Sequence, residues 1–392
     1  MRLHGIQRLY AAMRALALGT ALCLASCVSY GLTARPFRLH PPEAIEGRPG
    51  YFSMAWLVRR GSGEFEAQVC SMSVVWKVHA ICGVTSQSAI VGGSTLVPLK
   101  GKSGGKELGD TRAYLGVWNV DGTEVWRWID DRDIATETRD VQKSPSGESA
   151  IVVIDGGGDL TVGKVELANG RWIWRASLGL PYRQEYGAKA LALPDGGAII
   201  ASWRLETGLW VFRVGPSGEV LWERDDTPWD WLTVAGVAAM PEDRGARVIW
   251  WSGRQYYGAE VSDHQLTRYD PYDTVGRSSR TWSLPCCPLT ADTLTVEDNQ
   301  SRSTWTTTVY WLSGGATRVE NVSPLGTFQV APDRVVLVGH RVNPEWRLVV
   351  AELTPGKIQS FWLLDFGHET LDASAVWADA ETVWFAGGGA HI

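Results

Sequence analysis

Few residues of this 392-residue chain have the types and spacing that chemistry needs. Its seven histidines include no pair at zinc-ligand spacing, and no Cys-x-x-Cys occurs. Two carboxylate pairs, Asp130-Asp131 and Asp225-Asp226, are of the kind a sugar-cleaving site uses as acid and base. Asp155-Gly156-Gly157-Gly158-Asp159 has the acids and glycines of a calcium loop. It lacks the carboxylate series and closing Glu, so it reads as a glycine-rich hairpin turn. Cys286 and Cys287 are adjacent, which allows a strained vicinal disulfide or two free thiols. The sequence assigns no metal, no cofactor and no catalytic residue.

The acids gain meaning from the elements that would hold them. Gly122, Gly170 and Gly218 lie 48 residues apart, and Trp126, Trp174 and Trp222 follow each by four positions. Around each glycine, two alternating apolar–polar runs flank a tight turn, the pattern of a β-hairpin. A repeat of this length built from short strands predicts the blades of a β-propeller. In that fold the connections from each outermost strand to the next innermost strand emerge on one face. Here they carry Asp130 and Asp131; Tyr182 and Tyr186; Asp225, Asp226, Trp229 and Trp231; and Tyr269, Asp270, Tyr272 and Asp273. Acids interleaved with aromatic rings on one surface have the composition of a recognition face. Within it, the carboxylate pairs read as solvated loop charges.

From residue 51 onward strands and turns alternate with no amphipathic helix, so the expected class is all-β. The chain ends in two strands, Ala375-Val376-Trp377 and a run from Thr382 to Ala386. It opens with two others, around Met54 to Val58 and Phe65 to Val69. Pairing of these terminal strands would complete one blade and close the ring without an open sheet edge. With that composite, segments near 73–128, 140–178, 188–224, 233–270, 285–320 and 328–366 give seven four-stranded blades. Eight stays open, because 71–128 is long and poorly patterned. The 21 tryptophans fit the same plan. A flat ring at a fixed place in each blade packs between neighbouring sheets, so Trp126, Trp174 and Trp222 are expected to be structural.

The N-terminus speaks to compartment. Arg2, Arg8 and Arg14 precede an apolar stretch from Ala15 to Ala25, too short to span a bilayer and typical of a signal peptide. Removal of a signal peptide takes the formal charge from −6 to −9 as those three arginines are lost. An acidic protein is a poor partner for nucleic acid. Residues 27–50, with Pro36, Pro41, Pro42 and Pro49, read as an extended tether, and 51–392 as one propeller domain. Apart from Cys27 at its start, the mature chain keeps Cys70, Cys82, Cys286 and Cys287, and an oxidising envelope permits disulfides among these four. Four cysteines allow three connectivities. Cys70 and Cys82 would fall in neighbouring blades at the ring closure, which favours that pair.

Two resemblances add to this reading. Leu24-Ala25-Ser26-Cys27 resembles the bacterial lipobox, which implies cleavage that removes residues 1–26 as a lipoprotein signal peptide, diacylation of Cys27 and a membrane anchor through lipid. Val28 in place of aspartate implies sorting to the outer membrane. The Gly-x-x-x-Trp hairpin resembles the tryptophan-docking motif of the pyrroloquinoline-quinone-like propeller superfamily. Together they make the chain similar to the propeller lipoprotein of the outer-membrane barrel-assembly machinery (BamB-like), a non-enzymatic scaffold. The resemblance implies a binding or scaffolding module for an envelope protein or peptide at the periplasmic side of the outer membrane. The alternative is an enzyme on the same scaffold, a quinoprotein-like oxidoreductase or a sugar-acting hydrolase or lyase.

Overall fold

The structure is a computed structural model. It describes residues 35–38, 52–60, 64–72, 75, 77–98, 109–132, 134–156, 159–178, 188–204, 208–225, 233–240, 245–252, 255–263, 265–269, 281–283, 293–301, 304–311, 316–331, 333–341, 347–365 and 369–391. Apart from Arg35, all of these belong to one compact unit, Pro36–Ile392.

The described residues form strands and turns and no helix. The first three strands are β1 (Arg35–Arg38), β2 (Phe52–Arg60) and β3 (Glu64–Met72). Next come β4 (Lys77–Thr85), β5 (Ser88–Pro98), β6 (Gly109–Asn119) and β7 (Glu124–Ile129), which make one antiparallel sheet in that order. The following sheet is β8 (Thr136–Lys143), β9 (Ser149–Gly156), β10 (Asp159–Glu166) and β11 (Trp172–Ser177). Then come β12 (Lys189–Ala192), β13 (Ala198–Arg204), β14 (Gly208–Val214) and β15 (Val220–Asp225). Another sheet holds β16 (Thr233–Ala239), β17 (Ala246–Ser252), β18 (Gln255–Val261) and β19 (Leu266–Tyr269). The next holds β20 (Thr281–Ser283), β21 (Thr293–Ser301), β22 (Thr304–Trp311) and β23 (Ala316–Glu320). After it come β24 (Val322–Ala331), β25 (Arg334–Arg341), β26 (Arg347–Thr354) and β27 (Lys357–Asp365), with the Pro36–Arg38 part of β1 beside β27. Finally β28 (Glu369–Ala378) and β29 (Thr382–His391) share a sheet with β2 and β3, where β29 pairs with β2 so that Trp384 faces Trp56 in register. The arrangement is all-β and propeller-like: β4 lies beside β8, β8 beside β12, β12 beside β16, and β28 beside both β24 and β4.

Strand composition explains this stacking. Ser149-Ala150-Ile151-Val152-Val153-Ile154 in β9 is an almost unbroken apolar run, and every one of these residues is buried. A strand that alternates between two packed faces needs apolar side chains on both. Ala150, Val152 and Ile154 pack toward β4–β6, while Ile151 and Val153 pack toward β12–β14. Comparable apolar layers lie between the β12–β15 and β16–β19 sheets, between β24–β27 and β28–β29, and between β28–β29 and β4–β6. Each fully buried Val, Ile, Leu or Phe stabilises by about 1.5–3 kcal/mol. The outermost strand β11 instead alternates half-buried and exposed residues along its length.

The repeated glycine–tryptophan pairs are the seams between sheets. Gly122, Gly170 and Gly218 adopt φ of 83°, 73° and 91°, the left-handed region that glycine tolerates best. The indole of Trp126 reaches across to the next sheet, where its Nε1 donates to the carbonyl of Leu167 at 2.8 Å. The same ring covers Gly170, and the ring of Trp174 covers Gly218 one sheet further on. A bulge one residue before each tryptophan sets the aim. The pairings Val117↔Trp126 and Trp118↔Glu124 leave Val125 extra. Likewise Ile173 and Leu221 are the extra residues before Trp174 and Trp222. Bulges bend the strand and re-aim its side chains.

One cysteine expectation is corrected. Cys82 is a free, buried thiol, so the Cys70–Cys82 bridge is not formed. Strand alternation gives the reason. On β4, Ile81 faces the sheet of β28 and β29, whereas Cys82 faces β8–β10, away from the sheet that holds Cys70 on β3. Burial pushes the Cys82 thiol up to about 12, which leaves it inert at neutral pH. Cys27, Cys286 and Cys287 lie outside the described residues.

Candidate binding face

In a four-stranded antiparallel sheet, the connection leaving the fourth strand emerges at the same end as the turn between the second and third. The chain leaves β7, β11, β15 and β19 at that end, which the β9–β10 turn shares. That turn is the hairpin expected at Asp155–Asp159, with Gly156 paired to Asp159.

The connection after β7 is a braced structure. Asp130 is 2% exposed, and the Arg132 guanidinium grips its carboxylate, with Nη2 2.6 Å and Nε 2.9 Å from Oδ2. Burial opposes ionisation of Asp130, but the hydrogen bonds and charge of Arg132 outweigh it and hold the carboxyl below its ordinary range. Arg112 pins the same segment by donating to the Ile134 carbonyl at 2.8 Å. The Ala113 amide donates to Thr136 Oγ1 at 2.8 Å. Asp130 is thus a brace and does not present its carboxylate at the surface. Asp131 is exposed beside it. Asp225, at the end of β15 opposite Trp210, is exposed as well. Tyr269 is in β19, paired in register with Gly258. Tyr182, Tyr186, Asp226, Trp229, Trp231, Asp270, Tyr272 and Asp273 lie outside the described residues.

At this same end sits a charged cluster that the sequence reading missed. His79 Nε2 lies 3.2 Å from Glu137 Oε2, and Arg139 Nη1 lies 2.9 Å from the same oxygen. Arg139 Nε is 3.4 Å from Asp155 Oδ2, and Asp155 pairs in register with Glu137. The cluster therefore joins β4 of one sheet to β8 and β9 of the next. His79 and Arg139 are both bulge residues: the register shifts at Val78/Ala80 and at Thr138/Asp140 leave them extra. The two acids differ in their surroundings. The hydrogen bond from His79, and then the charge of Arg139, hold Glu137 below the ordinary carboxylate range despite partial burial. Burial raises Asp155 to about 6, with Arg139 offsetting only part of it. The available signal for His79 was a polar residue between apolar ones, Val78-His79-Ala80, whereas Thr138-Arg139-Asp140 is polar throughout and offered none. Among the described residues, no group of three or more His, Cys, Asp or Glu is placed to hold a metal ion.

No protein-family model matches this chain, and no curated protein matches it. The solved structures that resemble it distantly include the following two. An uncharacterized protein, lmo1340, from Listeria monocytogenes EGD-e is 10% identical, with a TM-score of 0.43, over 78% of this chain and 86% of that one. The complex of KlAtg21 with the coiled-coil of AgAtg16 is 8% identical, also at 0.43, over 74% of this chain and 100% of that one. Neither likeness carries weight for fold or function.

Proposed function

We propose that this chain is a non-enzymatic, BamB-like binding propeller, held in the bacterial envelope by lipid on Cys27 and engaging a protein or peptide partner. Its ring is read as seven four-stranded blades closed by the pairing of terminal strands. Seven described sheets and the β29–β2 ladder support that reading. The observation that carries the binding role is a coincidence of place. Exposed Asp131 and Asp225 share one end of the sheets with the His79–Glu137–Arg139–Asp155 cluster, and beside Asp131 the backbone is braced by Arg132 and Arg112. Pre-set polar groups on a stiff scaffold suit recognition, because little order is lost on binding. In this reading Trp229, Trp231 and Tyr272 are the aromatic anchors of the same face.

Alanine at those three positions tests the role. Anchors of an interface should cost about 2 kcal/mol or more in affinity with the fold intact. Core residues would instead cost roughly 3–5 kcal/mol in stability. A Cys27→Ala variant tests the anchor: it should lose acyl mass and leave the membrane fraction. Equal solubility of wild type and variant, with no acyl mass on either, would remove the lipoprotein reading. A stoichiometric quinone or metal in the purified protein would favour the enzyme alternative.

A further inference from the structure

The exposed large aliphatic side chains among the described residues are Val125, Ile173, Val220 and Leu221. All four lie on the outermost strands β7, β11 and β15 of three successive sheets, and three of them are the extra residues of the bulges. The bulge explains why they point outward, but it does not require them to be apolar. In β27 the equivalent extra residue is Gln359.

Beside Ile173 the surface changes character. Trp128 of β7 and Trp172 of β11 meet edge to face across the seam, with centroids 5.2 Å apart. The exposed guanidinium of Arg175 lies over both rings, 5.8 Å from each centroid. Among the described residues Arg175 has no ion-pair partner, whereas Arg127 is paired with Glu124 and Arg171 with Glu166. Two indoles thus hold a cation in place with its N–H groups free for a carboxylate, which a guanidinium can take in a two-pronged hydrogen bond. Tryptophan and arginine together are also the residues most often found at the energetic centre of an interface.

The remaining observation concerns backbone. β11 ends its sheet, so its outer N–H and C=O groups face no neighbouring strand of that sheet. The equivalent edge of β27 is covered by the extended Pro36–Arg38 segment, although β27 carries the same kind of bulge. An outer edge of this fold therefore accepts an added strand, the usual way a sheet captures an extended peptide.

We propose that the edge of β11, with Ile173 and Arg175, takes up an extended acidic segment of a protein partner as a fifth strand. The segment's amides pair with β11, an apolar side chain rests on Ile173, and a carboxylate binds Arg175. This surface is separate from the connector face and does not depend on it.

The test uses the full-length protein in detergent and fluorescently labelled peptides of about ten residues, the length of a long strand. One peptide alternates valine with glutamate, a second valine with lysine, and a third repeats the first with every other amide N-methylated. The glutamate peptide should bind saturably, and the other two at least about tenfold more weakly. Arg175→Glu should reverse the charge preference. Arg175→Gln, which keeps the side chain's reach, should abolish it and serves if charge reversal unfolds the protein. Absence of saturable binding overturns the proposal. So does binding that N-methylation or both Arg175 variants leave unchanged, or that only an Asp131→Lys change removes.

Discussion

Trp126 lies over Gly170 so closely that a Cβ there would sit 2.6 Å from the indole ring. The contact joins two sheets, and it makes the glycine necessary twice over: for its φ of 73° and for the space above it. Gly170→Ala should therefore combine left-handed backbone strain with overpacking and cost about 2–4 kcal/mol. Gly356 is the internal control, with φ of 70° and open space around it. Gly356→Ala should cost only about 1 kcal/mol. Denaturant melts of the two variants would show the difference, and equal losses would mean that the tryptophan contributes nothing to the requirement.

The Asp130–Arg132 brace predicts a pH signature. Its folded carboxyl titrates below the unfolded one, so its stabilisation is present at neutral pH. That contribution fades as pH falls below the unfolded value of about 4 and through the lower folded one. Asp130→Asn should cost about 1–3 kcal/mol near pH 7. Its melts should converge on wild type in acid. A constant gap across pH would contradict an ionised brace.

Asp155 predicts the opposite sign. Burial raises its folded pKa to about 6, so its favourable contribution is complete below about pH 4 and lost as pH rises through about 6. Asp155→Asn should then be more stable than wild type by roughly 1–3 kcal/mol at pH 8, with no gain at pH 4. Arg139 keeps Glu137 as a partner in the variant, which limits any penalty from the lost pair. A variant less stable than wild type at pH 8 would mean that the Asp155–Arg139 contact outweighs the burial.

What was legible in the sequence was whatever repeats. Period-two alternation and the 48-residue Gly–Trp spacing revealed the all-β, propeller-like arrangement and the structural role of Trp126 and Trp174. The turn at Gly156–Asp159 was readable from its glycines. Bulges were not, because one extra residue leaves composition unchanged while shifting which face each later side chain meets. Hence His79 and Arg139 were missed, and the Cys70–Cys82 pairing failed: proximity in sequence and sheet said nothing of which face Cys82 occupies. Asp130 was read as a loop charge because Arg132, two residues on, becomes its partner only once the connection folds back on itself.

The claim at the centre of this account is that a partner engages the connector end of the sheets. Asp131 and Glu148 are both exposed and flank β8 at opposite ends, which makes them a matched pair. A photo-crosslinking residue placed at either position in native membranes tests the claim directly. A discrete adduct at Asp131 and none at Glu148 is the predicted result. Adducts of equal yield at both, or at Glu148 alone, would contradict it.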